Sequence, residues 1–113
     1  MLGISVAVMA SITSVSWKTT SIHLGEVQKN EVNELAFEFM NHSSEPIQIV
    51  EAKGSCGCTS VNYPKEAIQP GESAAITANF KSGKVGAFKK SIRITTSDSD
   101  EPTFLYFNGE VVE

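Results

Sequence analysis

Glu31-Val32-Asn33-Glu34-Leu35-Ala36-Phe37-Glu38-Phe39-Met40-Asn41 repeats every two residues: Leu35, Phe37 and Phe39 point one way, Glu34, Glu38 and Met40 the other. Only an extended strand keeps that rhythm in register with a surface, because its successive Cβ atoms face opposite sides of a sheet. An apolar side opposed by a polar one predicts a sheet with the core beneath it and solvent above. The same alternation recurs in both directions. Val15 and Trp17 alternate with polar partners, and Ile47 and Ile49 continue the theme after Pro46. Ala74, Ile76, Ala78 and Phe80 form an inward set opposed by Ala75, Thr77 and Asn79, and Phe88, Ile92 and Ile94 one opposed by Lys89, Ser91 and Arg93. In the last run, Thr103–Val112, Phe104, Leu105, Tyr106 and Phe107 are consecutive, which predicts a strand covered on both faces.

The punctuation agrees with the strands. Clusters at 25–30, 41–46, 69–72, 82–86 and 97–102 are rich in Gly, Asn, Ser, Asp and Pro, the residues that make turns. Pro70-Gly71 suits a type II turn, with Pro presetting φ and Gly accepting the positive φ that follows. No stretch carries a helical stripe. About seven short strands with a turn signal every dozen or so residues predict an all-β domain, an immunoglobulin-like antiparallel β-sandwich over residues 12–113.

Residues 1–11 are the one continuous uncharged apolar stretch. They are too short to span a bilayer, which needs about twenty residues. They read either as the remnant of a signal peptide, with small residues around Ala10, or as an extension of the first strand. The first reading places the protein outside the cytoplasm, in the periplasm, at the cell surface or secreted.

At 113 residues, 41% of them hydrophobic and 19% charged, the chain can bury a core as a single domain and is not of disordered composition. A net charge of -4 argues against nucleic acid as a partner. The charge is nevertheless segregated. Residues 26–51 hold six acids and one base, Lys81, Lys84, Lys89, Lys90 and Arg93 form a basic strip without an acid, and Asp98, Asp100, Glu101, Glu110 and Glu113 follow. Either neighbouring strands pair these charges across an exposed face, or the basic strip meets an acidic partner or anionic surface.

The chemically distinctive segment is Gly54-Ser55-Cys56-Gly57-Cys58-Thr59. In a regular strand residues i and i+2 lie about 6.6 Å apart with parallel Cβ vectors, too far for a disulfide. A kink at Gly57 would bring the sulfurs together, and the resulting small ring would be more easily reduced than a structural staple. Unkinked, Cys56 and Cys58 are two parallel thiols, candidate ligands for Cu(I) or Zn(II), with a methionine such as Met40 as a further sulfur. A zinc site would need two more ligands, and His23 and His42 stand at no recognised spacing from the pair. A structural role, a redox or metal site and an interaction hot spot all remain open for these cysteines. Both histidines read as solvated side chains at turns. Asn41-His42-Ser43 matches a glycosylation acceptor. No nucleophile elbow, phosphate loop or paired-carboxylate pattern is present, so the expected protein is neither an enzyme nor a cofactor carrier.

Leu24-Gly25-Glu26-Val27, Phe37-Glu38-Phe39-Met40-Asn41, Glu45-Pro46-Ile47-Gln48-Ile49, Ser55-Cys56-Gly57-Cys58-Thr59, Ile68-Gln69-Pro70-Gly71-Glu72, Gly86-Ala87-Phe88-Lys89-Lys90 and Asn108-Gly109-Glu110-Val111 occur in this order. The series resembles the bacterial family catalogued as domain of unknown function 1573, over roughly residues 12 to 112. The resemblance implies an immunoglobulin-like sandwich related to pilus-chaperone, major-sperm-protein and Hydin-type modules, usually carried by exported bacterial proteins, with no established activity or cofactor. His23-Leu24-Gly25 stands where the family usually has Asp-Phe-Gly, and Ser43-Ser44 replaces a usual glycine turn. The expected function is therefore a non-enzymatic binding or structural module of the cell envelope. Its partner would be another envelope protein, met by edge-strand pairing with the basic strip as the contact surface. The alternative is soft-metal binding or thiol–disulfide exchange at the cysteines.

Overall fold

The computed structural model describes residues 15–113; the expectations for residues 1–11 lie outside this range. The described residues form eight strands and no helix: β1 (Val15–Trp17), β2 (Ser21–Gln28), β3 (Asn33–Asn41), β4 (Ile49–Gly54), β5 (Thr59–Asn62), β6 (Ser73–Phe80), β7 (Gly86–Thr96) and β8 (Thr103–Val112). Among the described residues no helix is long and apolar enough to cross a membrane. The strands make two four-stranded sheets, one in the order β1-β3-β6-β5 and the other β2-β8-β7-β4. Every pairing is antiparallel except β2 with β8.

The eighth strand arises because the first stretch of chain changes sheets. The Lys18 N–H donates to Glu38 O on β3, whereas the Tyr106 N–H of β8 donates to Thr20 O, so the crossing takes only residues 18–20. On the opposite side of the sandwich the chain crosses back from β4 to β5, and that crossing is the cysteine segment.

The inward faces are the ones the alternation predicts. Leu35, Phe37 and Phe39 of β3 and Ile76, Ala78 and Phe80 of β6 meet Ile92 and Ile94 of β7 and Leu105 and Phe107 of β8 in one buried cluster. Trp17 packs its ring 4.8 Å from Phe39, at the edge of the core rather than in a ligand box. Phe80 lies between the rings of Phe88 (4.5 Å) and Phe107 (5.3 Å). Such offset and edge-on arrangements are the favoured ones for aromatic quadrupoles.

Two sequence expectations give way. The cluster at 25–30 does not end the strand: β2 runs through it to Gln28, with a register shift between His23 and Glu26. Gly25 absorbs the extra residue at φ +72°, as a β-bulge requires, and the reversal falls to Asn30 at φ +65°. His23 accordingly sits on a strand rather than at a turn, exposed and hydrogen-bonded to Asn108 Oδ1. Only one face of β8 is covered: Leu105 and Phe107 are fully buried, but Phe104 and Tyr106 stand 43% and 41% exposed on the other face.

The bulge is also a close approach. A Cβ on Gly109 would lie 2.5 Å from Gly25 O and 2.9 Å from the Phe88 ring, so β2 and β8 can sit this close only with glycine there. Gly109→Ala is expected to lower unfolding stability by about 2 kcal/mol, the usual range for forcing a methyl into a packed site. Urea titration with an unchanged m-value checks this.

Candidate functional site

The turn joining β4 to β5 carries the one covalent cross-link of the described residues. Gly54 ends β4 where a Cβ would press to 3.2 Å on the Thr59 Cβ, so the chain folds back tightly on itself. Ser55 then clamps the turn to β7: its N–H donates to Ser91 O at 2.8 Å, and the Ser91 N–H donates to Ser55 Oγ at 3.1 Å. A turn closed by the Thr59 N–H donating to Cys56 O follows (3.3 Å). It draws the Cα atoms of Cys56 and Cys58 to 5.3 Å, within disulfide reach, and the two sulfurs are bonded. The kink does not draw on glycine's special freedom. Gly57 is absent from the positive-φ residues, and a Cβ there would touch nothing, so the backbone accepts any residue at this position.

The two sulfurs have different surroundings. Cys58 packs against the hydrophobic core, whereas Cys56 lines an open cleft of about 420 Å³ with Lys53, Ser55, Gly57 and Thr59. The Thr59 hydroxyl reaches both, 3.7 Å from the Cys56 sulfur and 4.0 Å from that of Cys58. In this state neither sulfur is a thiolate, so a soft metal would require prior reduction. Among the described residues no group of three or more His, Cys, Asp or Glu is placed to hold a metal ion. Closing a loop of three residues removes little chain entropy, worth about 1.6 kcal/mol against about 3 for a fifteen-residue loop. The bond is a weak staple.

The basic strip does not form one surface. β7 lies between β8 and β4, so it is no edge strand and its backbone is already paired on both sides. Lys89 and Arg93 point outward from this sheet, Lys90 has the inward parity of Phe88 and Ile92, and Lys81 and Lys84 belong to the β6–β7 connection. One predicted cross-strand pair forms: Arg93 meets Glu51 of β4 at 3.2 Å, with both side chains about half exposed. The backbones of the disulfide turn and of three lysines lie near one another, but only Lys53 brings its side chain to the site. Lys53 lines its cleft, the Lys81 N–H donates to Cys58 O at 3.2 Å, and Lys90 follows directly before the Ser91 that holds Ser55. In the sequence only Lys53 stands near the cysteines.

A second feature escaped sequence reasoning. Phe104 and Tyr106 stack on the outer face of the β2-β8-β7-β4 sheet with ring centroids 6.5 Å apart. Arg93 is the β7 neighbour of Phe104, Ser91 that of Tyr106, and Lys89 that of Asn108. A shallow cleft of about 270 Å³ bounded by Phe104, Arg93, Ser91 and Lys53 shares Lys53, Gly54 and Ser55 with the cleft of the disulfide. A run of four apolar residues signals a strand buried on both faces, and nothing local shows that one face stays bare.

The glycosylation motif has a structural explanation. Asn41 is fully buried, its amide donating to Ile68 O (2.8 Å) and Glu45 O (2.9 Å), and its Oδ1 accepting from Ser43. A residue held in this way offers no free amide to a glycan. His42 is exposed, as expected.

Among solved structures, a protein of unknown function from Porphyromonas gingivalis W83 superimposes with a TM-score of 0.72 at 14% identity, covering 90% of this chain and 50% of its own. This chain thus spans half the length of that relative. The ASH/PapD-like domain 7 of human CEP192 gives 0.70 at 11% identity, with 97% and 96% covered. The secreted serine protease VesC of Vibrio cholerae gives 0.69 at 12% identity, with 88% of this chain but 23% of VesC covered. At such identities the likeness establishes the fold alone, an immunoglobulin-like β-sandwich. No match is found among curated proteins. The Cys-Gly-Cys turn, the bulge glycines and the Pro-Gly turn at Gly71 all lie within residues 15–111, the stretch that matches one family model, and the chain belongs to that family, the proteins of unknown function DUF1573.

Proposed function

We propose that this domain is a non-enzymatic binding module of an exported bacterial protein, and that it receives a partner protein on the outer face of the β2-β8-β7-β4 sheet. The supporting observation is the exposed stacked pair Phe104 and Tyr106 in the middle of that face, bordered by Lys53, Lys89 and Arg93. Aromatic and arginine side chains dominate the energetics of protein interfaces, and two large rings left in water by a central strand are costly unless something covers them. The cationic border suits a partner segment that sets a carboxylate beside an apolar side chain.

Backbone addition at an edge has poorer templates. β1 and β5 are three and four residues long, and both β2 and β4 are interrupted by register shifts, the devices that protect sheet edges. The similarity to a small part of the secreted VesC chain supports a module that works beside other domains.

A photo-crosslinking amino acid placed at position 106, and at Ala75 on the outer face of the other sheet, tests this in the bacterium that makes the protein. A discrete protein adduct is expected from position 106 and not from 75, and Arg93→Glu should abolish it. Equal adducts at both positions, or none at 106, would refute the reading.

A further inference from the structure

We infer that the Cys56–Cys58 disulfide is an exchange site, attacked at the Cys56 sulfur by an incoming thiolate with Cys58 as the leaving sulfur. The inference does not depend on the docking face proposed above.

Three observations carry it. The ring encloses a single residue, so little chain entropy holds it closed, and it joins no distant parts of the fold. Access is unequal: both cysteines are partly buried, but Cys56 lines the open cleft while Cys58 packs against the core, so Cys56 is the sulfur the cleft presents to a nucleophile. A cationic side chain also borders the site, since Lys53 lines the cleft beside Cys56. Positive charge of this kind favours both an approaching thiolate and the thiolate left behind. The Thr59 hydroxyl, within 4.0 Å of the Cys58 sulfur, can donate a hydrogen bond to the charge that develops there.

The exchange balances without a further reagent. A thiolate forms a new S–S bond to Cys56, the Cys56–Cys58 bond breaks, and its electron pair leaves on Cys58, which then takes up a proton. A second thiol on the incoming molecule attacks its own sulfur in the mixed disulfide and displaces Cys56. That molecule ends oxidised to a disulfide and the domain reduced to a dithiol. The substrate class is a thiol, carried either by a protein or by a small molecule.

Oxidised full-length protein is mixed with dithiothreitol or with glutathione, acid-quenched over time, alkylated and read by intact mass. Dithiothreitol should produce the dithiol at least tenfold faster than it reduces glutathione disulfide, with the far-ultraviolet circular dichroism unchanged. Proteolytic mapping of the glutathione-treated, quenched wild type should find the adduct on Cys56 in at least tenfold excess over Cys58, which requires no variant to fold. Lys53→Gln should slow attack by glutathione, which carries further negative charge, about threefold, and attack by the singly charged thiolate of 2-mercaptoethanol by a smaller factor. A reduced two-cysteine peptide outpacing glutathione at equal thiolate concentration would assign the source to a protein, and the reverse to a small thiol. A disulfide that resists dithiothreitol until the domain unfolds, or adducts shared equally between the two sulfurs, would overturn the inference.

Discussion

Asn41→Ala is expected to lower the unfolding free energy by about 3 kcal/mol, the sum of its lost side-chain hydrogen bonds at somewhat under about 1 kcal/mol each. The side chain is fully buried and uses all its polar capacity: two N–H bonds to the carbonyls of Ile68 and Glu45, and two acceptances from Ser43. Its backbone adds two more bonds, the Asn41 N–H to Glu72 O and the Gly71 N–H to Asn41 O. One residue thus ties the end of β3 to the connection that precedes β4 and to the long connection between β5 and β6. These are the two segments that meet in the isolated Ile47–Ile68 bridge. Alanine removes all four side-chain bonds at once and leaves a small gap where the amide was, although Ile68 O keeps the Ile47 N–H as a donor (2.9 Å) and Glu45 O keeps the Ser43 hydroxyl (2.8 Å). Thermal unfolding should fall by roughly 15 °C, since about 1 kcal/mol shifts a domain of this size by some 4–8 °C. Asn41→Asp should be at least as damaging, because a carboxylate cannot donate to the two carbonyls. Ser43→Ala, which removes one acceptance at Asn41 together with the hydroxyl's exposed contacts to Glu45, should cost about 1 kcal/mol. A loss equal to that of Ser43→Ala would show that Asn41 is not the hub its contacts describe.

Phe80→Ala should cost about 4 kcal/mol, the middle of the range for emptying a large buried aromatic site. Phe80 is 1% exposed, and its ring meets Phe88 and Phe107 of the opposite sheet. Its backbone sits at the end of β6 between Asn33 of β3 and Thr59 of β5, so neighbours fixed by two ladders cannot collapse into the space. Domains of this kind are stable by only about 5–15 kcal/mol, and a loss of this size brings the variant within reach of unfolding at physiological temperature. Phe104→Ala makes the control. Its ring is 43% exposed on the outer face, so less apolar area returns to water, no enclosed cavity forms, and a change below about 1 kcal/mol is expected. Urea titrations of the two variants side by side decide the matter. Similar losses would contradict the assignment of β8's outer face to solvent, and with it the availability of Phe104 to a partner.

The alternation of Leu35, Phe37 and Phe39, of Ile76, Ala78 and Phe80, and of Ile92 and Ile94 was legible because period two is a property of the extended chain itself. The faces it marks are the faces that are buried. The Pro70-Gly71 turn was legible for the same kind of reason: Gly71 takes φ +83°, and the Glu72 N–H closes the turn on Gln69 O. Gly25 misled, since a glycine that ends a strand and one that bulges it look alike along the chain. What separates them is Gly109 on β8, more than eighty positions away, whose missing side chain lets the Gly25 carbonyl approach. Asn41-His42-Ser43 misled likewise, because a glycosylation motif says nothing about burial.

The chain by itself determined an all-β sandwich, its inward residues and most of its turns, because side-chain alternation and turn chemistry act over neighbouring residues. Which charges and sulfurs meet was decided by tertiary structure. The crossing from β4 to β5 sets the Cys56–Cys58 turn beside Lys81 and against β7, and the pairing of β7 with β8 sets Arg93 next to the bare ring of Phe104. Such encounters depend on strand order and register. Those are set by how two sheets together exclude water, a property of the whole core that no local segment carries.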